Sequence, residues 1–343
     1  CVSIKFQVPI DLKEEFEFIQ GQYLTLRTNI NDEDVRRSYS ICSGVDDGEL
    51  RVAIKKVPNG LFSTYANEEL KAGDTLRVMK PMGRFYTPLE KSNEKHYVGV
   101  AAGSGITPIL SIIKSVLTRE PESTFTLFYG NQKSSTVIFK EEIEDIKDTS
   151  LSRFRVFHLL TREPNEVPLL SGRITEEKVT ELTAKLLNDR QVDEVFMCGP
   201  AEMIEGATAS FEKSGIPKEK LHFELFTSPL APKSIAVAEN ENVESAETGP
   251  RSEVKIVLDD QAMILDLPYE GVNVLDAALQ NGADLPYACK GGVCCTCRAK
   301  LVEGEVEMKL NYSLEPDEVE QGFILTCQAH PRTEKVVIDF DQQ

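Results

Sequence analysis

The chain has 343 residues, 38 basic and 56 acidic side chains, a net charge of -18, eight cysteines and no tryptophan, with 41% hydrophobic residues. That length suits two or three domains, each with its own core, and the acidity argues against nucleic acid or anionic membrane as partners, because phosphates attract Lys and Arg. No apolar run reaches the roughly 18 residues that span a bilayer, and no charged segment leads into an apolar one at the start, so a cytoplasmic protein is expected, with a basic or weakly charged protein as partner.

Residues 1 to about 90 hold short alternating stretches, QYLTLRT and ELRVAIKKV among them, separated by NINDED and GVDDG. An antiparallel β-barrel or sandwich fits that pattern. Residue 1 is Cys, not Met, and VSIKFQVP reads like the middle of a strand, so a leading segment is expected before it. RRSYSICS sets Arg37 and Tyr39 on one strand face and Ser40 on the other, and NGLFSTY puts Gly60, Phe62 and Ser63 at a turn. An Arg for phosphate, an aromatic for stacking and a hydroxyl would suit a flavin nucleotide. A solvated or cross-strand role for Arg37 and Tyr39 stays open.

From about 95 to 228 strands alternate with helices: HYVGVAA, ITPILSIIKSVL, FTLFYG, FKEEIEDIK, FRVFHLL, EEKVTELTAKLL, EVFMCG and AEMIEGATASFEK. This predicts a doubly wound α/β parallel sheet. Ile106, Ile109, Leu110, Ile113, Val116 and Leu117 fall at helical spacing, the face that packs on the sheet. AAGSGITP joins the first strand to that helix, with Gly103 and Gly105 where backbone must approach a pyrophosphate and Pro108 in the first turn. The motif lacks the third Gly of the dinucleotide fingerprint, so a purely structural glycine turn stays open. FMCGP ends a later strand and brings Cys198 to the carboxyl edge of the same sheet, where such folds bind ligands.

Residues 229–252 are rich in Pro, Ser, Glu and Asn and read as a flexible linker that lets the last domain move. Residues 253–343 carry EVKIVLDD, NVLDAALQNG, RAKLVEG and KVVIDF, a small α+β domain. Its 17 acidic and 7 basic side chains give it -10 of the net charge. Cys289, Cys294 and Cys297 are spaced C-x4-C-x2-C, with Cys327 thirty residues on. That is the plant-type 2Fe-2S spacing. Gly291 and Gly292 would let backbone N–H groups reach the sulfurs. Zinc on Cys294, Cys297, Cys327 and His330 is the rival set, and a Rieske centre is excluded because the four histidines are dispersed. Cys295 is read as packing or as incidental.

With R-x-Y-S, G-x-x-S, G-S-G-I-T-P, C-G-P and the cysteine spacing in that order, nearly the whole chain resembles ferredoxin-reductase-like flavoproteins fused to a C-terminal plant-type ferredoxin. GADLPYACKGGVC, NYSLEPDE and CQAHP resemble, within that group, the reductase components of phenylacetyl-CoA epoxidase complexes. The resemblance implies a β-grasp ferredoxin domain, FAD, a 2Fe-2S cluster on Cys289, Cys294, Cys297 and Cys327, and NADPH as donor, with NADH as the alternative. It implies that Arg37 binds the flavin pyrophosphate, Tyr39 lies against the isoalloxazine, Ser40 lies near its N5, and Lys55, Gly60, Phe62 and Ser63 hold the rest, with Ser38 also in the cofactor-binding set. It places Gly103, Gly105, Thr107, Pro108, Asn131, Gln132, Cys198, Gly199 and Pro200 around the nicotinamide nucleotide, with Ser40, Thr107 and Cys198 at the reacting end and Phe226 covering the flavin. Two positions depart from the pattern: Gln20 replaces the usual Pro of P-G-Q, and Gln132 stands where NADPH-preferring relatives often carry Arg, with Lys133, Ser134, Ser135 and Arg162 as possible substitutes for that cation. The implied partner is an oxygenase. Another mono- or dioxygenase, or a redox sensor that does not turn over, remains as an alternative.

Overall fold

Side-chain alternation shapes β1 (Val2–Phe6), which turns Val2, Ile4 and Phe6 toward the core and Ser3 and Lys5 outward. β2 (Tyr23–Ile30) and β3 (Glu33–Ser40) form a hairpin through Asn31 and Asp32, whose φ of 52° and 64° fit a two-residue turn matched to strand twist. β4 (Leu50–Ile54) pairs with β1. β5 (Arg77–Val78) pairs with β2, and bridges Ile41–Val52 and Tyr23–Met82 tie these sheets into the expected antiparallel barrel. Leu24, Leu26, Ile41, Val52 and Ile54 fill it and are fully buried. One local expectation fails: Gly60 is not in a plain turn but precedes a helix, α1 (Leu61–Glu68), which carries Phe62 and Ser63 in its first turn. The computed structural model describes residues 1–188, 190–226 and 249–342.

The next elements are β6 (His96–Ala102), α2 (Ile106–Arg119), β7 (Thr124–Asn131), α3 (Lys140–Thr149), β8 (Phe154–Leu160), α4 (Glu176–Leu186), β9 (Glu194–Cys198), α5 (Ala201–Lys213) and β10 (Leu221–Glu224). The strands lie in the order β10-β9-β6-β7-β8, all parallel. The chain leaves β6 toward one edge and then returns to its other side, which opens a crevice between the carboxyl ends of β6 and β9. The six expected apolar residues of α2 are buried, and so are Ser111 and Ser115 on its far side. Ser111 Oγ donates to the Ser43 carbonyl at 2.7 Å and Val45 N–H donates to Ser115 Oγ at 3.1 Å. The helix is therefore held between sheet and barrel, and the two parts make one compact unit, Cys1–Phe226. At the other end of the sheet, buried Glu194 accepts hydrogen bonds from Lys95 (3.0 Å) and Lys220 (3.1 Å) and pairs with His222 (2.9 Å).

The second unit contains β11 (Arg251–Leu258), β12 (Gln261–Pro268), α6 (Val274–Gln280), β13 (Arg298–Glu303), β14 (Val306–Met308), α7 (Pro316–Glu320), β15 (Phe323–Leu325), β16 (Ala329–Pro331) and β17 (Lys335–Asp339). Its mixed sheet runs β12-β11-β17-β13-β15, with β11 and β17 parallel at the centre. Val274, Leu275, Ala277 and Ala278 of α6 are buried in the same core as Val254, Val336 and Ile338 of the sheet. Residues 229–248 of the expected linker lie outside the described residues. Its expected end at 252 is corrected, since β11 begins at Arg251. No helix among the described residues is long and apolar enough to cross a membrane.

Candidate active site and cluster loop

Gly105 lies against the end of β9: a Cβ there would be 2.0 Å from the Cys198 carbonyl oxygen and 2.5 Å from its carbon. Only glycine permits so close an approach. The G-S-G turn is pinned from the sheet side by the Tyr129 hydroxyl, which donates to the Gly103 carbonyl at 3.0 Å. Buried Thr107 donates to the Ser104 carbonyl at 3.0 Å, and Pro108 is buried one residue further into α2. Gly199 and exposed Pro200 follow Cys198 into α5. Parallel pairing sets Glu224 of β10 opposite Cys198. The barrel contributes Ser40, whose Oγ donates to Glu224 Oε2 at 2.9 Å. Ser40, Cys198 and Glu224 therefore meet at one point, with Gly105 behind them.

The electrostatics of that point follow from loss of water. Burial, opposed by the Ser40 hydrogen bond, pushes the half-buried Glu224 carboxyl up to about 7. Burial, helped by the neighbouring Glu224 charge, pushes the Cys198 thiol well above its ordinary value. Cys198 is thus a neutral thiol that fills space, and Glu224 is an acid that can hold or release a proton near neutral pH. Glu224 was absent from the expected set; HFELF drew attention only to Phe226, which is 41% exposed two residues beyond it.

On the barrel face Arg37 is exposed and donates to the Arg36 carbonyl at 2.7 Å, while Arg36 itself is buried and paired with Asp34 at 2.9 Å. Ser38 Oγ lies 3.0 Å from Thr25 Oγ1. The Tyr39 ring lies 5.5 Å from that of buried Phe62, and burial, partly offset by Arg37, raises its hydroxyl to about 12. Ser63 Oγ accepts from Val57 N–H at 3.2 Å and donates to the Gly60 carbonyl, which closes the first turn of α1. Lys55 does not lie only with the barrel set: its Nζ is 3.6 Å from where a Gly103 Cβ would be, beside the G-S-G turn. Gln20 is buried and donates to the Thr87 carbonyl at 2.7 Å, while Gly21, at φ 86°, comes so close to the Phe85 carbonyl that a Cβ would lie 1.9 Å from its oxygen. At the far end of the crevice Asn131 is buried and Gln132 exposed, and their carbonyls accept from Thr161 N–H (3.1 Å) and Arg162 N–H (2.9 Å).

In the second unit the four expected thiols make two pairs. Cys289 is hydrogen-bonded to Cys294, and Cys297 to Cys327, with each pair felt electrostatically by the other. The Cys294 contact, opposed by burial and aided by the N–H groups of Gly291, Val293 and Cys294, holds Cys289 below its ordinary value. Gly291 N–H lies 3.3 Å from Cys289 Sγ, and Gln328 Nε2 lies 3.6 Å from Cys327 Sγ while donating to the Lys290 carbonyl at 3.0 Å. Left-handed backbone at Lys290 (φ 52°), Gly292 (φ 75°) and Cys295 (φ 53°) folds the loop over the sulfurs. Two thiol pairs under converging N–H donors fit a negatively charged two-iron cluster. His330, the non-thiol member of the rival zinc set, is buried in β16 and pairs in register with Glu307 of β14. Cys295 donates to the Ser313 carbonyl at 3.4 Å and packs on the core. Cys297 and Cys327 are buried, whereas Cys289 and Cys294 are half-buried and form the more open edge.

These two units define a class, the oxidoreductases that bind a flavin and a pyridine nucleotide and carry their own 2Fe-2S domain. The oxidoreductase FAD-binding domain family matches residues 2–87, the oxidoreductase NAD-binding domain family residues 100–209, and the 2Fe-2S iron-sulfur cluster binding domain family residues 257–332. The chain is 44% identical over 341 residues to a component of the 1,2-phenylacetyl-CoA epoxidase of Escherichia coli K12, covering 99% of this chain and 94% of that one. It is 33% identical to the ferredoxin reductase component of 3-ketosteroid-9-alpha-monooxygenase from Rhodococcus rhodochrous, over 98% of this chain and 92% of that one. Phthalate dioxygenase reductase shares the fold, with a TM-score of 0.54 at 22% identity over 94% of this chain and 88% of that one. The chain belongs to the family of oxygenase reductase components built from FAD-binding, NAD-binding and 2Fe-2S domains.

Proposed function

We propose that this chain works in the cytoplasm as the reductase of a phenylacetyl-CoA epoxidase in aerobic phenylacetate degradation, taking electrons from NADPH and passing them through FAD and a 2Fe-2S cluster to the oxygenase component. The observation that carries the chemistry is the meeting of Ser40 from the barrel with Cys198 and Glu224 from the sheet, beside the Gly105 turn. The 44% identity to the Escherichia coli epoxidase component supports the partner. The 33% identity to a steroid monooxygenase reductase favours a second reading, in which another oxygenase receives the electrons.

In this reading Arg37 and the first turn of α1 hold the flavin phosphates, where a guanidinium and orphan N–H groups suit an anion. Tyr39 packs the ring on one side and Phe226 covers the other. Gly103, Gly105, Thr107 and Lys55 receive the nicotinamide nucleotide, and Cys198 supplies a neutral wall to the reacting pocket. The Ser40 hydroxyl, hydrogen-bonded to Glu224 Oε2, can give its proton to a group bound in the pocket while it takes one from the Glu224 acid, which is left as carboxylate. FAD, when bound, converts the two-electron donor into single electrons for the cluster, and the protein's work is to hold the partners close and dry. Cys289, Cys294, Cys297 and Cys327 bind the irons, with the Cys289 and Cys294 edge turned toward acceptors.

Mixing the reductase with the purified phenylacetyl-CoA epoxidase oxygenase component tests the partner. Substrate-dependent NADPH oxidation is expected there and not with a steroid or aromatic-ring oxygenase; the reverse order would favour the second reading. The -10 charge of residues 253–343 predicts that coupling slows as salt rises.

A further inference from the structure

We propose that Glu163 tunes the coenzyme preference of this reductase by holding, as an internal anion, the donors that a 2′-phosphate would otherwise take. The inference rests on reading Cys1–Phe226 as the pyridine-nucleotide-dependent unit, and it concerns the far end of the same crevice.

In a doubly wound sheet the pyrophosphate lies at the turn after the first strand, and the ribose of the adenosine reaches the carboxyl end of the next. Here the first strand is β6 and the next is β7, which ends in Asn131 and runs on through Gln132, Lys133 and Ser134. The chain leaving β8 follows it closely, with Thr161 N–H on the Asn131 carbonyl at 3.1 Å and Arg162 N–H on the Gln132 carbonyl at 2.9 Å. At the next step a side chain replaces the backbone: Ser134 N–H donates to Glu163 Oε2 at 2.7 Å, and Ser134 Oγ donates to both carboxylate oxygens at 2.9 Å. Those Ser134 bonds, weakly opposed by burial and assisted by Lys133 and Lys140, hold the Glu163 carboxyl below the ordinary range.

The local chemistry is that of an anion receptor already filled from within. Ser134 presents a backbone N–H and a hydroxyl together, and Lys133 and Arg162 are exposed on the two flanking segments. A ribose 2′-hydroxyl is a donor and can share this site with a carboxylate. A 2′-phosphate brings about two negative charges and three strong acceptor oxygens, so it must displace the carboxylate from Ser134 and lean on Lys133 and Arg162. Glu163 therefore lowers affinity for the phosphorylated coenzyme selectively, and the two cations counter that effect. Discrimination is thus shared between Lys133 and Ser134 after β7 and Arg162 and Glu163 after β8, with the two cations standing in for an Arg at position 132 and Glu163 opposing them.

The experiment uses full-length holoprotein and two fragments as probes, 2′,5′-ADP and 5′-AMP, with affinities measured by calorimetry at fixed ionic strength. Glu163→Gln is expected to tighten 2′,5′-ADP binding about three- to fivefold, the scale of one exposed charge pair, with 5′-AMP within twofold of wild type. Adding Ser134→Ala to that variant is expected to remove the gain. In parallel, KM for NADPH should fall in Glu163→Gln relative to KM for NADH. Equal changes for both fragments, or none, in protein with full flavin and cluster content would overturn the inference while leaving the reductase reading intact. Failure of both NADPH and NADH to bleach the flavin of wild type would overturn both.

Discussion

Replacing Gly105 with Ala would set a methyl group 2.0 Å from the Cys198 carbonyl oxygen, 2.5 Å from its carbon and 3.1 Å from Gly199 N. Ordinary contact begins near 3.4 Å, so the turn and the end of β9 must part by about 1.4 Å. All three atoms are backbone, and none can swing aside. The φ of Gly105 is -61°, which any residue adopts, so the whole cost comes from contact. Overpacking of this kind costs about 1–3 kcal/mol, and a shift of about 1 Å near reacting atoms slows chemistry on the order of 100-fold. Gly48→Ala, away from the site, is the control: nothing lies within 4 Å of its Cβ, and its φ of 68° costs about 1–2 kcal/mol of backbone strain. Anaerobic stopped-flow mixing with NADPH should show flavin reduction slowed on the order of 100-fold in Gly105→Ala and far less in Gly48→Ala, both with full FAD and cluster content. Reduction of Gly105→Ala within threefold of wild type would refute the placement of the nicotinamide at this junction.

Flavin reduction coupled to the Ser40–Glu224 relay should fall as pH rises through about 7, because the Glu224 acid that burial favours is lost there; Glu224→Gln should flatten that limb, and an unaltered profile would remove Glu224 from the relay. The same raised value makes its contribution to folding full below 4.5 and lost as pH climbs through about 7. Glu194 runs the other way: burial opposes its ionisation, but His222, Lys95 and Lys220 outweigh it and hold the carboxyl down to about 2. Its contribution is present above 4.5 and lost as pH falls through about 2. Glu194→Gln is therefore expected to cost about 2–3 kcal/mol in urea unfolding at pH 7, with a smaller gap at pH 3; an equal gap at both pH values would show that the ion cluster is not the cause. Cys327→Ser should remove the visible cluster absorption while NADPH still reduces the flavin, and Cys295→Ala should keep both. A cluster retained in the first variant or lost in the second would reassign the fourth ligand.

The parts of the site that were legible in the sequence are those whose spacing is set by local chemistry. Cys289, Cys294 and Cys297 are close in the chain because one loop must wrap one cluster, and Gly103 and Gly105 mark a tight turn between strand and helix wherever it occurs. The Ser40–Glu224 contact joins residues 184 positions apart and depends on β10 pairing in register with β9, which no local pattern encodes. The amphipathic stripe of α2 was readable, but its buried Ser111 and Ser115 gained meaning only from the barrel loop at Ser43 to Val45. Helix α1 is eight residues long and carries Phe62, Thr64 and Tyr65, whose weak helix preference hid it behind the Gly60 turn signal. β14, β15 and β16 are three residues each, too short for alternation to show.

The most direct test of the central claim is an anaerobic titration of the holoprotein with NADPH, followed in the visible range. The flavin bands are expected to bleach and the cluster absorption to fall with them as electrons move from one to the other. A flavin that stays oxidised under excess NADPH, or a cluster that stays oxidised beside a fully reduced flavin, would contradict the claim.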